Sequence, residues 1–373
     1  MVRAYPEPRA ADRATRTVRD ALPEGTTSRP HIETPHQVVV DHTGGVHVLA
    51  APDKFKGTAT AHEIASAICE AASRVGATCE RVPMADGGEG TLDALGGANR
   101  SSRVVGPLGE PVTAEWRLDR GTAVVEMARA SGLVLAGGAE ANDPLHANTH
   151  GVGQLIGEAV DAGARSIIVG VGGSATTDGG LGALEALGSP SRLRGALILV
   201  ACDVRTRFVD AAAVFGPQKG ASPAQVSLLH RRLEQLADRY LDDYGVDVRE
   251  LPRAGAAGGL AGGLAAFGAE LIDGFEVIAD ELDLEARMEA ADLVVTGEGF
   301  LDNESFEGKV VGGVAGMAES MGVAALAVAG QVFDDVGDRI TSISLGGHFG
   351  LERAMSDPVG CVTEAVEQHL RAL

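Results

Sequence analysis

The sequence predicts an α/β fold in which mostly parallel strands are buried between helices. Three observations predict it. Short apolar runs alternate with helix-spaced patterns from Val46 to the C-terminus, as strand–helix–strand units do. Runs such as "SIIVGVGG" and "ALILVACD" are apolar throughout rather than alternating, as expected of strands covered on both faces. The 51 glycines cluster in short loops between these runs, where phosphate-cradling loops occur. The length of 373 residues suits one large domain or two ordinary ones.

Taken in order, residues 1–44 hold five of the 15 prolines and little apolar periodicity, and read as a mostly disordered leader or an over-extended translation start. "VHVLA" (46–50) is a strand. Thr60 and Glu63 form a capping box for a helix carrying Ile64, Ile68, Ala71 and Val75 at helical spacing. "CERVPMADGGEGT" is a strand ending in an acidic glycine loop. Segments 103–105, 112–118 and 122–127 read as short antiparallel strands. A helix with Val152, Leu155, Ile156 and Val160 on one face leads to the strand at 166–173, and a further strand covers 196–203. Ser222, Pro223 and Gln225 open a helix striped by Val226, Leu229, Leu233 and Leu236. A glycine–alanine helix at about 256–270 follows. "ADLVVTGEG" is strand then loop, and a helix follows it. Strands at 323–330 and 340–345 and a helix at 358–372 close the chain.

Composition excludes several function classes. The net charge of −21 argues against nucleic acid and anionic membranes as partners. No apolar run is long enough to span a bilayer, and no secretory signal is visible, so a cytoplasmic location is expected. The four cysteines form no C-x-x-C pair, which predicts reduced thiols and no structural zinc. The histidines lack metal-binding spacing, and the Walker, Rossmann and G-x-S-x-G motifs are absent.

The chemistry concentrates in five glycine loops after strands, where ligands sit in open α/β sheets. Only four of the 31 basic residues are lysines, and all four lie in such loops. Lys54 and Lys56 flank Phe55 ahead of a helix, where an anion would also meet free backbone N–H groups. Asp86 and Glu89 lie in the second loop, suited to a hydroxyl or Mg²⁺. Ser174 and Asp178 lie in a third, a plausible anion nest. Asp203 ends a strand ahead of Gly216 and Lys219. Gly297, Glu298, Asp302 and Lys309 form the fifth, where Lys309 at a helix start opposes the macrodipole unless an anion intervenes. The set suits Mg-nucleotide phosphoryl transfer to a small polar acceptor.

The motifs "APDKFKGTATAHEIA", "PMADGGEGT", "GVGGSATTDGG", "VFGPQKGA", "GAGAAGGL" and "ADLVVTGEGFLDNESFEGK" together resemble, in this order, the bacterial glycerate kinases of the glyoxylate and glucarate degradation type. The resemblance spans about 46–373. It implies ATP- and Mg²⁺-dependent phosphorylation of D-glycerate, with the 2-phospho product favoured. It also implies a discontinuous Rossmann-like domain (45–85 and 290–373), an inserted α/β domain (86–289), and a site between them. Small-molecule substrates are the expected partners, and a homodimer is compatible. The expected roles are catalysis for Asp86, Glu89, Asp178 and Lys309, and cofactor binding for Lys54, Lys56, Ser174, Gly216, Lys219, Gly297 and Glu298. Asp203 and Asp302 are expected to hold metal. Three departures stand out: a short "SPSRLRG" bridge after Gly188, "RTRFVDAAA" in place of an Asn-Pro-Leu loop after Asp203, and Thr177 and Glu304 in place of Asn and Gln. A kinase for another short hydroxy acid, or a paralogue that binds without turnover, remain as alternatives.

Overall fold

The computed structural model describes residues 45–333, 336 and 339–373. The expected leader at 1–44 lies outside them. Eleven strands in the described residues form two sheets. They are β1 (His47–Ala50), β2 (Thr78–Arg81), β3 (Arg100–Val105), β4 (Pro111–Asp119), β5 (Thr122–Glu126) and β6 (Ser166–Gly170). The remainder are β7 (Leu197–Cys202), β8 (Glu270–Asp273), β9 (Leu293–Leu301), β10 (Ala324–Val332) and β11 (Thr341–Ser344). The first sheet, ordered β11-β10-β9-β1-β2, is parallel throughout. The second, β3-β4-β5-β6-β7-β8, is antiparallel across β3, β4 and β5 and parallel thereafter. The α/β reading with mostly parallel strands therefore holds.

Local sequence explains most helix ends. Thr60 and Glu63 cap Ala61–Arg74 reciprocally, and Ser222 and Gln225 do the same for Pro223–Tyr244 with Pro223 in the first turn. The apolar faces then pack. Ile64, Ile68 and Ala71 meet Val48, Val295 and Val362. Leu229 and Leu233 join Phe208, Leu260 and Leu264.

Four expectations need correction. Gly297, Glu298 and Gly299 are not a loop but continue β9, pairing toward β10 through Gly297↔Val328 and Glu298↔Ala329. The glycine–alanine helix is a 3₁₀ turn (Ala256–Gly259) followed by the helix Leu260–Ala266. Left-handed backbone at Ala257 (φ 53°) and Gly258 (φ 67°) breaks it, and β8 begins four residues beyond Ala266. Helices Gly274–Glu281 and Leu284–Glu289 were not anticipated. Phe275, Ile278 and Met288 from them pack with Leu49, Val294 and Val310 of the first sheet's layer, on the other side of the expected boundary at 289. Finally, Cys69 and Cys79 are disulfide-bonded, with Cα atoms 5.2 Å apart, rather than reduced. The helix Ala61–Arg74 packs on β1 and β2, which sets the two side chains face to face, a proximity that linear spacing did not disclose.

The shortened 189–195 segment is closed by the 3₁₀ turn Pro190–Leu193, capped by Ser189 with Leu193 buried. The altered 204–212 segment contributes Phe208, fully buried and edge-on to Tyr240 at 6.1 Å. Both departures are thus absorbed by packing.

Lys219 lies inside the second layer, 2% exposed. Its Nζ donates to the Thr176 carbonyl at 2.7 Å. Burial pushes its ammonium down to about 7, with Asp178 acting in the opposite direction. The unfolded chain then binds the extra proton between about 7 and the ordinary value of 10.5, so stability rises with pH across that window and is lost as pH falls through about 7. Relative to Lys219→Met, the wild type gains up to about 1.4 kcal/mol per pH unit there. Chemical denaturation of both proteins at pH 7 and pH 10 measures this, and parallel pH profiles would contradict it. The Cys69–Cys79 bond closes a short loop, with a sequence separation of 10. Its reduction is expected to lower stability by about 2–3 kcal/mol, read as a shift of the urea midpoint with and without reductant.

Candidate active site

Two cavities open at the carboxyl ends of the strands. The first, of about 410 Å³, is lined by Asp53, Lys54, Lys56, Thr60, Glu89 and Arg129 among others. β1 delivers its lysines. Beyond Ala50 the chain stays bonded to β9, with Ala51 N donating to Val295 O and Asp53 N to Gly297 O. Asp53 is buried, and its Oδ1 accepts from the Lys54 backbone N–H at 2.7 Å and faces Lys54 Nζ at 3.5 Å. Lys56 is exposed beside it. The N-terminus of the helix Ala61–Arg74 adjoins the same cavity, adding free N–H groups suited to an anion.

The second cavity, of about 600 Å³, is lined by Asp203, Val204, Arg205, Glu304, Phe306, Glu307, Gly308 and Lys309. Asp203 follows β7. Lys309 is the N-cap residue of the helix Val310–Met321 and lies 4.0 Å from Glu304.

Electrostatics tie the two cavities together. Burial pushes the Asp53 carboxyl up to about 6, with Lys54 opposing and Asp86 adding to the rise. Burial pushes Asp203 up to about 6 as well, with Asp86 raising it further and Lys309 and Lys54 drawing it down. Glu298 rises to about 7 through burial, against Ser305 and Lys309 and with Asp53 and Asp302. Asp53, Asp86 and Glu89 hold the Lys54 ammonium above its usual range despite its own burial. Carboxylates from β7, β9 and the Asp86–Gly90 loop therefore share one field with Lys54 and Lys309. Such mutually perturbed groups in a cleft mark a functional site.

The Asp86–Gly90 loop is fixed by close backbone approach. Asp86 Oδ1 accepts from Gly88 N at 3.1 Å, and Val171 N donates to Gly87 O at 2.9 Å. Gly87 has φ +86°, and a Cβ there would meet Ala201 O at 2.5 Å, so only glycine fits. At Gly274 a Cβ would lie 1.8 Å from Asp86 O.

The structure brings together Lys54, Lys56, Asp86, Glu89, Asp203, Glu298 and Lys309. It places other expected residues elsewhere. Asp178 accepts from Thr149 N, Thr149 Oγ1, Gly180 N and Gly182 N, so its oxygens are spent holding the fold. Lys219 is enclosed behind Thr176 because its loop folds into the core. Gly216 is the C-cap residue of the helix Ala211–Phe215, and a Cβ there would meet Ala212 O at 2.3 Å. Gly297 is part of β9 and receives Asp53 N. Asp302 caps the turn Asn303–Phe306 through Ser305 N. Ser174 forms a bridge with Gly132, and Gly172 in the same loop abuts Gly88. Among the described residues, no three His, Cys, Asp or Glu side chains group as a ready metal cage.

Three residues were not anticipated. Arg129 lines the first cavity. Arg253, held in the left-handed region (φ 70°), pairs with Asp273 at 2.7 Å. Their fields reach Cys202 next to Asp203, whose thiol burial pushes up to about 12. Glu126 is buried beneath the Asp86–Gly90 loop. A carboxylate ending the apolar run "TAVVE" is the signal that could have found it.

The chain is similar to several known proteins. The glycerate kinase family model matches residues 48–192 and 189–372, dividing at the shortened segment. The glycerate 2-kinase of Escherichia coli (strain K12) is 41% identical over 330 residues, covering 78% of this chain and 86% of the relative. The Bacillus subtilis (strain 168) glycerate kinase is 39% identical over 328 residues, covering 77% and 86%. A crystal structure from Salmonella typhimurium LT2, described provisionally as glycerate kinase 2, superposes with a TM-score of 0.75 at 36% identity. It covers 88% of this chain and 99% of its own. Among the described residues no helix is long and apolar enough to cross a membrane. The chain belongs to the glycerate kinase family.

Proposed function

We propose that this cleft transfers the γ-phosphoryl group of ATP to D-glycerate, with the 2-hydroxyl as acceptor. The observation that carries the reading is the common field of Lys54, Lys309, Asp86, Asp203 and Glu298, drawn from both sheets. The chain's kinship with proteins named glycerate kinase and glycerate 2-kinase supplies the acceptor.

Phosphoryl transfer needs positioning and charge neutralisation more than covalent chemistry. Lys54, Lys56 and Lys309 neutralise phosphate oxygens and the glycerate carboxylate. Asp86, with its second carboxylate oxygen available, accepts the hydrogen bond of the attacking hydroxyl, and Glu89 sits beside it. The donor set fits Mg²⁺. Glu298 Oε1 is buried without a hydrogen-bond partner, and Asp203 and Glu298 are desolvated carboxylates near Lys309. Mg²⁺ commonly takes one or two carboxylates and completes its shell with phosphate oxygens and water, so a three-residue cage is not required. Asp203 and Glu298 would hold it, and it would offset charge on the transferred group. With ATP as donor, the reaction belongs in the cytoplasm.

The test is ATP-dependent turnover of D-glycerate by the purified chain, with the product identified by NMR. Phosphorylation at the 3-position would overturn the acceptor assignment. Val204 and Arg205 line the cavity beside Asp203, so a panel of short hydroxy acids belongs in the same assay. Asp86→Ala is expected to lower kcat by about 10²–10⁴-fold, and Lys309→Ala to lower kcat/KM by at least about 10-fold. Undiminished turnover in both would sink these roles. Chelation of divalent cations is expected to abolish turnover and Mg²⁺ to restore it, with Glu298→Gln raising the Mg²⁺ concentration required by about 10-fold or more.

A further inference from the structure

We propose that Glu126 is a positioning residue for the transfer reaction, the group that holds Asp86 and Glu89 at their working places from the opposite sheet. The proposal rests on the reading of the cleft as the transfer site.

Glu126 ends β5 and is 3% exposed. A buried carboxylate is costly unless it is paired and hydrogen-bonded, and here both oxygens are engaged. Oε1 accepts from Gly90 N and from Leu92 N, each at 2.9 Å. Oε2 accepts from Arg129 Nε at 3.2 Å. The two amides open the short helix Thr91–Ala94, whose N-cap residue is Gly90, left-handed (φ 97°) and without a capping side chain of its own. Helix starts leave unpaired N–H groups that a local side chain normally satisfies. Glu126 does so from 36 residues away in sequence.

The consequence reaches the chemistry. Gly90 adjoins Glu89 and lies four residues from Asp86, in a glycine-rich stretch that has little stiffness of its own. On one flank the stretch is tied by Val171 N to Gly87 O. On the other it is tied by Glu126, and by Thr91 Oγ1 donating to Gly88 O at 2.8 Å. Without Glu126 the Glu89–Gly90 backbone loses its anchor to the second sheet. Glu126 also orients Arg129, a wall of the cavity that holds Lys54 and Lys56. It touches no substrate-facing space itself.

The experiment compares wild type with Glu126→Gln, Glu126→Asp and Glu126→Ala. Gln keeps an oxygen acceptor at the same reach. Asp keeps the charge but falls one methylene short of both amides. Expected kcat values drop about 10- to 100-fold in Asp and Ala, with KM for ATP little changed, whereas Gln stays within about threefold of wild type. Hydrogen exchange at Gly90 and Leu92 is expected to accelerate in Asp and Ala and not in Gln. A merely structural role would lower thermal stability while leaving kcat per folded molecule intact, and that result overturns the proposal. So does a Gln variant as impaired as Asp. If Ala does not fold, Asp against Gln decides alone. A wild type without glycerate turnover would sink the transfer reading instead. The clamp is then judged by exchange, and unchanged rates at Gly90 and Leu92 would refute it.

Discussion

The backbone of Asp86–Gly90 lies so close to the second sheet that no side chain fits between them. Gly87 abuts the carbonyl of Ala201, Gly172 abuts Gly88, and Gly274 abuts the carbonyl of Asp86. This contact is where the chain leaving the first sheet meets the strand ends of the second. It places an acid-bearing, glycine-rich segment between the two sheets. Asp86 then faces Asp203 from one sheet and Lys54 from the other. The cleft's electrostatics follow from that contact.

Crowding of carboxylates is the second feature. Asp53, Asp203 and Glu298 are all raised by burial, and neighbouring acids add to the rise in each. A protein of net charge −21 would be expected to repel ATP and glycerate. Lys54 and Lys309 lie inside the same field as these acids and Lys56 at its edge, so positive charge is concentrated where the acids crowd. Net charge describes the whole chain, whereas the three ammonium groups are gathered locally at the cleft.

The sequence pointed to charged residues in loops that follow strands, and of these Lys54, Lys56, Asp86, Glu89, Asp203 and Lys309 come together at the cleft, whereas Glu298 joins them from within β9 rather than from a loop. The same signal also drew in Asp178, Lys219, Gly216 and Gly297, whose contacts lie within the packed fold. Glycine next to a polar residue marks close packing as readily as ligand binding, and only three-dimensional burial separates the two. Lys219 shows the difference plainly, since rarity and loop context are the same as for Lys54, yet its ammonium is enclosed against Thr176. The Cys69–Cys79 bond escaped notice because it depends on a helix lying against a strand, not on spacing along the chain.

By itself the sequence determined the alternation of strand and helix, the caps of Ala61–Arg74 and Pro223–Tyr244, and the family, because these depend on local pattern and ordered motifs. Tertiary structure decided the order of strands, the packing of 274–289 toward the first sheet and the union of two cavities in one field. It also decided Glu126's capture of the Gly90 and Leu92 amides. These are interactions between residues tens to hundreds of positions apart, and no local propensity encodes which distant donor will meet which buried acceptor.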